Sequence, residues 1–303
     1  MQVLALSQIP LLAKDRAEDD PIVMGGGPCS YNPEPIADFF DFFYIGEGET
    51  RYREILDIYK DNKAAGGSRA DFLRRICSLQ GIYVPGFYDV SYCEDGRIAS
   101  MEPNIPEAPK RITKNIVTDF DGVPYPVKPV VPFIKCAQDR VVLEIQRGCI
   151  RGCRFCQAGQ LYRPVREKNV DRLKGYAVEM LKNTGYDEIT LSSLSSSDYS
   201  ELKELVDFLM EESGEKKVNI SLPSLRIDSF SLDVMRKVQD VKKSSLTFAP
   251  EAGSQRLRNV INKGLTEEDI LRGAQLAFEG GWTRVKLYFM LGLPTETKED
   301  VWG

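Results

Sequence analysis

The second half of this 303-residue chain is predicted to be an α/β fold with a parallel sheet curled as a full or partial barrel. Three observations predict it. Near-continuous hydrophobic stretches recur from Asp139 onward, amphipathic stretches separate them, and polar or glycine-bearing loops follow their carboxyl ends. Strands buried on both faces read as unbroken apolar runs, and the intervening helices cover the sheet they form.

Along the chain, residues 1–58 read as a piece of an α/β domain. Pro21–Met24 is a short buried-strand candidate running into Gly25, Gly26 and Gly27. Asp41–Ile45 is another, running into Gly46, Glu47, Gly48 and Glu49 and then a helix with Tyr52, Ile55, Leu56 and Tyr59 at helical spacing. Two strands are too few for an open sheet covered on both faces, so this segment is expected to be incomplete at its N-terminus. Residues 59–138 are expected to form a connector. It holds a short helix from Asp71 to Leu79, a hairpin within Ile82–Met101 that turns at Glu94-Asp95-Gly96, and a proline-stiffened stretch from Val123 to Pro132.

Residues 139–303 carry the strict alternation. Strands are expected at Val141–Gln146, Glu188–Ser192, Val218–Leu222, Ser245–Ala249 and Val285–Met290. A helix from Glu201 to Met210 aligns Leu202, Leu205, Val206 and Leu209, with Asp198 and Glu201 spaced as a capping box. Thr266 is expected to cap a helix carrying Ile270, Ala274, Ala277 and Phe278, which Gly280 and Gly281 stop.

Composition narrows the function classes. A 42% hydrophobic and 28% charged chain has ample material for a core. A net charge of −5 argues against a stable nucleic-acid-binding surface. Proline and charge interrupt every apolar stretch that approaches bilayer length, and the N-terminus lacks the basic region of a signal peptide. Seven cysteines in a chain this long do not make a disulfide framework; they fit a metal site in a reducing cytoplasm. Histidine is absent, which removes the commonest general base and the Ser-His and Cys-His nucleophile pairs.

Three of the cysteines, Cys149, Cys153 and Cys156, follow the first strand of this half at C-x3-C-x2-C spacing. The spacing is expected to bring three thiolates round one point, and thiolates are the ligands of iron–sulfur clusters. Three ligands, unlike four, leave one metal position open. Gly148, Gly152 and Gly159 suit a loop wrapped closely round a bulky group. The alternative is a cysteine-rich zinc-binding interaction module in which Cys136 completes a closed site with Cys149, Cys153 and Cys156. Cys29, Cys77 and Cys93 read as buried or incidental.

Barrels of this kind place their chemistry at the carboxyl ends of the strands. Ser193 and Ser195 follow the second strand, where helix capping by Ser197 or Asp198 is the competing explanation. Arg226 follows the third, as a fixed cation or as a solvated surface arginine. Glu251 lies at the end of the fourth, and a carboxylate there is not explained by capping. Gly292 follows the fifth, in a Gly-x-Pro stretch that also reads as a plain turn before a Thr cap. Arg147, Arg151, Arg154, Arg163, Arg166 and Lys168 crowd the cysteine loop. They read either as charge compensation and a docking patch for an acidic partner or as a solvated basic loop.

With Phe155 just before the last cysteine, the loop resembles the signature of radical S-adenosylmethionine (SAM) enzymes, and the resemblance runs from Asp139 to Gly303. A fainter one, over Pro21 to Thr50, is to the end of a cobalamin-binding domain. Together they resemble the subgroup with an N-terminal cobalamin-binding domain and a methylthiotransferase-like radical SAM core. The resemblance implies a partial (β/α)6 TIM-like barrel that stops one unit short, preceded by a connector and a partial Rossmann-like segment of cobalamin-binding type. It implies a [4Fe–4S] cluster on Cys149, Cys153 and Cys156, with SAM on the fourth iron. An external one-electron donor such as flavodoxin or ferredoxin would drive reductive cleavage of SAM to methionine and a 5′-deoxyadenosyl radical, which takes a hydrogen atom from an unidentified substrate. Phe155, Ser193, Ser195, Arg226, Glu251 and Gly292 are the positions it assigns to SAM contacts. Cobalamin is a further candidate cofactor, although the missing histidine removes the imidazole that many cobalamin domains use. A chain short at both ends also reads as a fragment that binds a cluster and turns over poorly.

Overall fold

A computed structural model of the chain describes residues 1–213, 218–228, 234, 237 and 246–303. They form two compact units, Met1–Asp119 and Phe120–Gly303. The stretch expected as a connector is divided between them.

The first unit holds a three-stranded sheet in the order β1 (Met24–Gly26), β2 (Phe42–Tyr44), β3 (Ile82–Tyr83). β1 runs parallel to β2, and β3 antiparallel to it. β2 is buried at all three positions because both faces are covered. Phe42 and Tyr44 pack with Ile55 of helix α1 (Tyr52–Ala64) and with Phe72 and Ile76 of α2 (Arg69–Ile76). Phe43 points the other way, among Tyr83, Tyr88 and Ala108. α2 starts at Arg69, two residues earlier than expected, because Ser68 caps it in a capping box with Asp71. The expected hairpin is present as β4 (Tyr88–Tyr92) and β5 (Ile98–Pro103). The buried Asp41 carboxylate accepts from Arg16 and from Arg69 at 2.9 Å each, tying the N-terminal segment to the sheet.

The second unit is an α/β assembly of parallel strands. β6 (Val141–Glu144), β9 (Glu188–Ser192) and β10 (Asn219–Ser221) form one parallel sheet in the order β10-β9-β6. β11 (Leu246–Glu251) and β12 (Val285–Phe289) form a separate parallel pair. Between β6 and β9, a two-residue ladder pairs β7 (Gln146–Arg147) with β8 (Arg166–Glu167) at the root of the cysteine loop. Among the described residues the two sheets are not bridged by hydrogen bonds, so no closed barrel forms. Ser245, expected to open the fourth strand, lies outside the described residues.

After α3 (Gln157–Leu161) on the cysteine loop, helices α4 (Val170–Thr184) and α5 (Leu202–Ser213) pack on the three-stranded sheet. Leu143, Ile145, Leu173, Ile189, Leu191, Leu205 and Val206 are fully buried in the core that results. That core contributes on the order of 2 kcal/mol per large side chain. α6 (Gln255–Val260) and α7 (Glu267–Glu279) follow β11; Thr266 caps α7 as expected, in a capping box with Asp269. The α7 face holds in part: Ala277 is buried and Ile270 packs on the same core, but Phe278 is exposed, and Gly273 lies on the buried side, where a side chain would collide with Ile227. α8 (Lys298–Trp302) closes the described chain. Among the described residues no helix is long and apolar enough to cross a membrane.

Candidate functional site

Parallel pairing puts the carboxyl ends of the strands in each sheet on one edge. Those ends and the loops that follow them carry every residue predicted to contact SAM. The cysteine loop emerges from β7 through Gly148, whose φ of +90° and close approach to the Tyr162 carbonyl exclude a side chain. Cys149, Cys153 and Cys156 are free, half-buried thiols. Cys156 caps α3, its sulfur accepting the Gly159 N–H at 3.4 Å.

The remaining contacts show how the loop is held. The Arg154 N–H donates to the Ile261 carbonyl at 2.9 Å, and its guanidinium to the Val260 carbonyl at 2.5 Å. Asn262 Nδ2 donates to the Gly152 carbonyl at 2.8 Å, from a left-handed backbone with φ of +53°. Both sides of the middle of the cysteine loop are therefore fastened to the turn after α6.

A chain of ion pairs continues from there. Arg151 binds Asp198 through Nε at 3.1 Å and through Nη2 at 2.6 Å, and its Nη1 lies 3.6 Å from Asp228. Burial acts to raise the Asp198 pKa, but the bonds from Arg151 and Ser195 outweigh it and hold the carboxyl below its usual range. Those bonds raise the Arg151 guanidinium in turn, against burial, and the nearby Cys149 adds to the rise. Arg226 grips Asp228 with two bonds of 2.9 Å and reaches the Lys263 carbonyl at 3.3 Å. Lys263 Nζ donates to Glu251 Oε1 at 3.3 Å and lies 5.8 Å from the centre of the Phe155 ring.

Each residue assigned from the sequence has a definite place in this arrangement. Phe155 is exposed on the cysteine loop under Lys263. The Ser193 hydroxyl donates to Ser196 and accepts from the Ser195 N–H. Ser195 is buried and donates to Asp198 at 2.7 Å. Arg226 is committed to Asp228 rather than solvated. Glu251 ends β11 with φ of +71°, beside a register shift, an uncommon conformation for a residue with a side chain. Gly292 has φ of +81° and donates its N–H to Glu296 at 2.6 Å.

One expectation is corrected. Asp198 does not cap α5; it sits in a 3-10 turn with its carboxylate taken by Arg151 and Ser195. Much of the basic cluster makes contacts inside the unit, while Arg154 and Arg163 are exposed. Arg147 is bidentate to Glu144, Arg163 and Arg166 hold loop carbonyls, and the fully buried Lys168 donates to the Phe120 carbonyl over that residue's ring. Lys263, Asp228 and Asn262 were not singled out from the sequence. Asn262 and Gly264, both with positive φ, are the one signal of a tight turn there.

Among the described residues no three Cys, Asp or Glu side chains gather closely enough to hold a metal ion. Cys136, the fourth ligand of the zinc alternative, is exposed, with its N–H bonded to Asp139 and its thiol directed at the Ile134 carbonyl. Cys149, Cys153 and Cys156 are free on one loop, with Arg151 close to Cys149, and thiols are the donor type that iron–sulfur clusters use.

In the first unit, three of the five glycines in the loops that carried the cobalamin likeness are filled by the chain itself, while Gly26 and Gly27 have room. A side chain at Gly25 would meet the Phe43 ring, one at Gly46 the Asn115 backbone, and one at Gly48 the Tyr52 ring.

Comparison with known proteins bears on both units. A family model described as the radical SAM superfamily matches residues 143–303, and one for the N-terminal part of radical SAM proteins matches residues 1–85. An uncharacterized protein of Methanocaldococcus jannaschii is 35% identical over 293 residues, covering 96% of this chain and 56% of its own length. An uncharacterized methyltransferase of Pyrococcus horikoshii is 24% identical, covering 96% of this chain and 58% of its own. The chain thus spans little more than half the length of these relatives. The solved structure of the cobalamin-dependent S-adenosylmethionine radical enzyme OxsB, with aqua-cobalamin and SAM bound, matches 93% of this chain and 38% of its own. Its TM-score is 0.62 at 15% identity, a likeness of fold.

Proposed function

The chain belongs to the radical SAM superfamily, and from that membership we propose that it is an enzyme whose Cys149, Cys153 and Cys156 hold a [4Fe–4S] cluster for reductive cleavage of SAM. The observation that carries this reading is the set of three free thiols on one loop, fastened by Arg151, Arg154 and Asn262 to the carboxyl-end loops of the neighbouring strands. When bound, the cluster would pass one electron from an external donor to SAM, breaking a carbon–sulfur bond to give methionine and a 5′-deoxyadenosyl radical that takes hydrogen from substrate.

The protein's part is ligation, orientation and exclusion of water. The Arg151–Asp198–Ser195 contacts fix the loop, and Asp228, gripped by Arg226, links the segment after β10 to Arg151. Glu251, held by Lys263 in a strained backbone, presents a carboxylate suited to a hydroxyl or ammonium group of SAM. Ser193 and the Gly292 backbone supply further polar contacts, and Phe155 an apolar one. The parallel pairs of this unit support a partial (β/α)6 TIM-like barrel. The β1–β2 pair and α1 support a partial Rossmann-like segment of cobalamin-binding type. The proposed electron donor is a flavodoxin or ferredoxin.

Anaerobic reconstitution of the full chain, followed by electron paramagnetic resonance of the reduced protein with and without SAM, tests the reading. A spectrum that SAM alters is the expected result, with iron retained in Cys136→Ala and lost in Cys149→Ala, Cys153→Ala or Cys156→Ala. One tightly held zinc ion with four sulfur neighbours, or a spectrum indifferent to SAM, would overturn it.

A further inference from the structure

The first unit contains a cavity of about 480 Å³ that the cysteine chemistry does not use, within the usual range for small-molecule sites. Its walls include Phe40, Tyr83, Tyr88 and Tyr92, with the carboxylates of Glu34 and Asp38. Tyr83 and Tyr88 stack obliquely with centroids 5.3 Å apart, so part of the wall is a continuous aromatic surface. Two phenol hydroxyls converge on one carboxylate: Tyr83 donates to Glu34 Oε2 at 2.9 Å and Tyr92 to Oε1 at 3.0 Å. An ionised carboxylate has about four lone-pair sites, so Glu34 is fixed in place with acceptor capacity left over.

We propose that this cavity binds a small organic ammonium group carried on an apolar body. Aromatic faces carry negative charge density and attract cations, most strongly where water is excluded. Glu34 and Asp38 add two carboxylates to the same walls, against the one cation Lys14, whose side chain is exposed. Asp38 makes no hydrogen bond or ion pair among the described residues, so its charge is open to a ligand. Burial, with the neighbouring Glu34, pushes the Tyr83 phenol pKa upward, so it stays protonated and keeps donating to the carboxylate at neutral pH. Aromatic walls with a pre-positioned carboxylate are the chemistry that discriminates a protonated amine from a neutral molecule of equal size.

Isothermal titration calorimetry of the full chain with 2-phenylethylammonium and its neutral counterpart 2-phenylethanol tests this. The ammonium should bind at one saturable site, and the alcohol about tenfold more weakly or worse, the loss expected when a charge-assisted bond is replaced by a neutral one. Glu34→Gln should weaken the ammonium about tenfold and leave the alcohol unchanged. Asp38→Asn, at an exposed side chain whose change does not threaten folding, should weaken the ammonium severalfold and make its binding less sensitive to salt. Absence of saturable ammonium binding, equal binding of the two probes, or full ammonium affinity in Asp38→Asn would overturn the proposal.

Discussion

The glycine-bearing loop of the first unit and the cysteine loop of the other unit have similar sequence patterns, and the structure separates them. At Gly46 the place of the missing Cβ falls inside contact distance of the Asn115 oxygen, and at Gly48 it falls inside that of the Tyr52 ring. That loop is tight because the chain packs against itself. On the cysteine loop Gly148 is as tight, against the Tyr162 carbonyl, but Gly159 has only the Cys156 sulfur at 3.7 Å and atoms farther off. A glycine pattern reports that something comes close to the backbone. The functional groups left accessible report whether that something is a ligand. The cysteine loop leaves three thiols accessible.

Alanine substitution breaks this comparison most sharply. Gly46→Ala puts a methyl group into the Asn115 backbone at φ of +119°, where no flexible side chain can yield. The expected cost is about 4 kcal/mol, read as a lowered denaturation midpoint of the first unit. Gly159→Ala meets ordinary contact distance inside a helix, so its expected effect is under about 1 kcal/mol in either direction. Equal losses at the two positions would show that the loops do not differ in this way.

Charge removal sharpens the comparison on the side of the cysteine loop. Asp198→Asn keeps the shape but removes the charge that Arg151 and Ser195 hold, and it should cost about 2 kcal/mol, less than for a fully buried pair because Arg151 is partly exposed. The same bond gives a pH dependence. The folded-state pKa of Asp198 is depressed below its unfolded value of about 4. The stability it contributes is therefore complete above about pH 4 and is lost as pH falls through the folded pKa. Acid titration of unfolding should show a shallower decline in Asp198→Asn than in the parent chain. Parallel curves would mean that the Asp198 charge does not hold the loop.

Much of the architecture was legible because it rests on local pattern. The strand at Glu188–Ser192 has the bounds expected of it, since its apolar run is flanked by polar residues on both sides. The Thr266 cap was visible because the capping box is a short-range signal. Start points went astray where a cap lay just upstream of the apolar face, as with Ser68 ahead of Asp71. The candidate site was legible only in its donor atoms. Cys149, Cys153 and Cys156 stand together in sequence, whereas Arg151 and Asp198, or Glu251 and Lys263, meet only because separate loops share one edge of the sheets. Asp198 illustrates the reason. Its spacing from Glu201 satisfies the local capping rule, yet a guanidinium brought in by tertiary packing offers a stronger, charge-assisted partner.

The smallest expected effect tests whether the turn after α6 steadies the cysteine loop or only touches it. Asn262 does two things: its side chain bonds the Gly152 carbonyl, and its backbone takes up a left-handed conformation that asparagine tolerates better than most residues. Asn262→Ala loses both and should cost about 1–2 kcal/mol. Asn262→Gly loses the bond but relieves the backbone, so it should recover roughly 1 kcal/mol of that. In the reconstituted protein, both variants should release iron to a chelator a few times faster than the parent, because the rate follows the lost side-chain bond and not the backbone strain. The effect stays modest since Arg154 still holds Val260 and Ile261. If Asn262→Gly released iron at the parental rate while Asn262→Ala did not, backbone strain would explain the contact, and the fastening of the loop would rest on Arg154 and Arg151 alone.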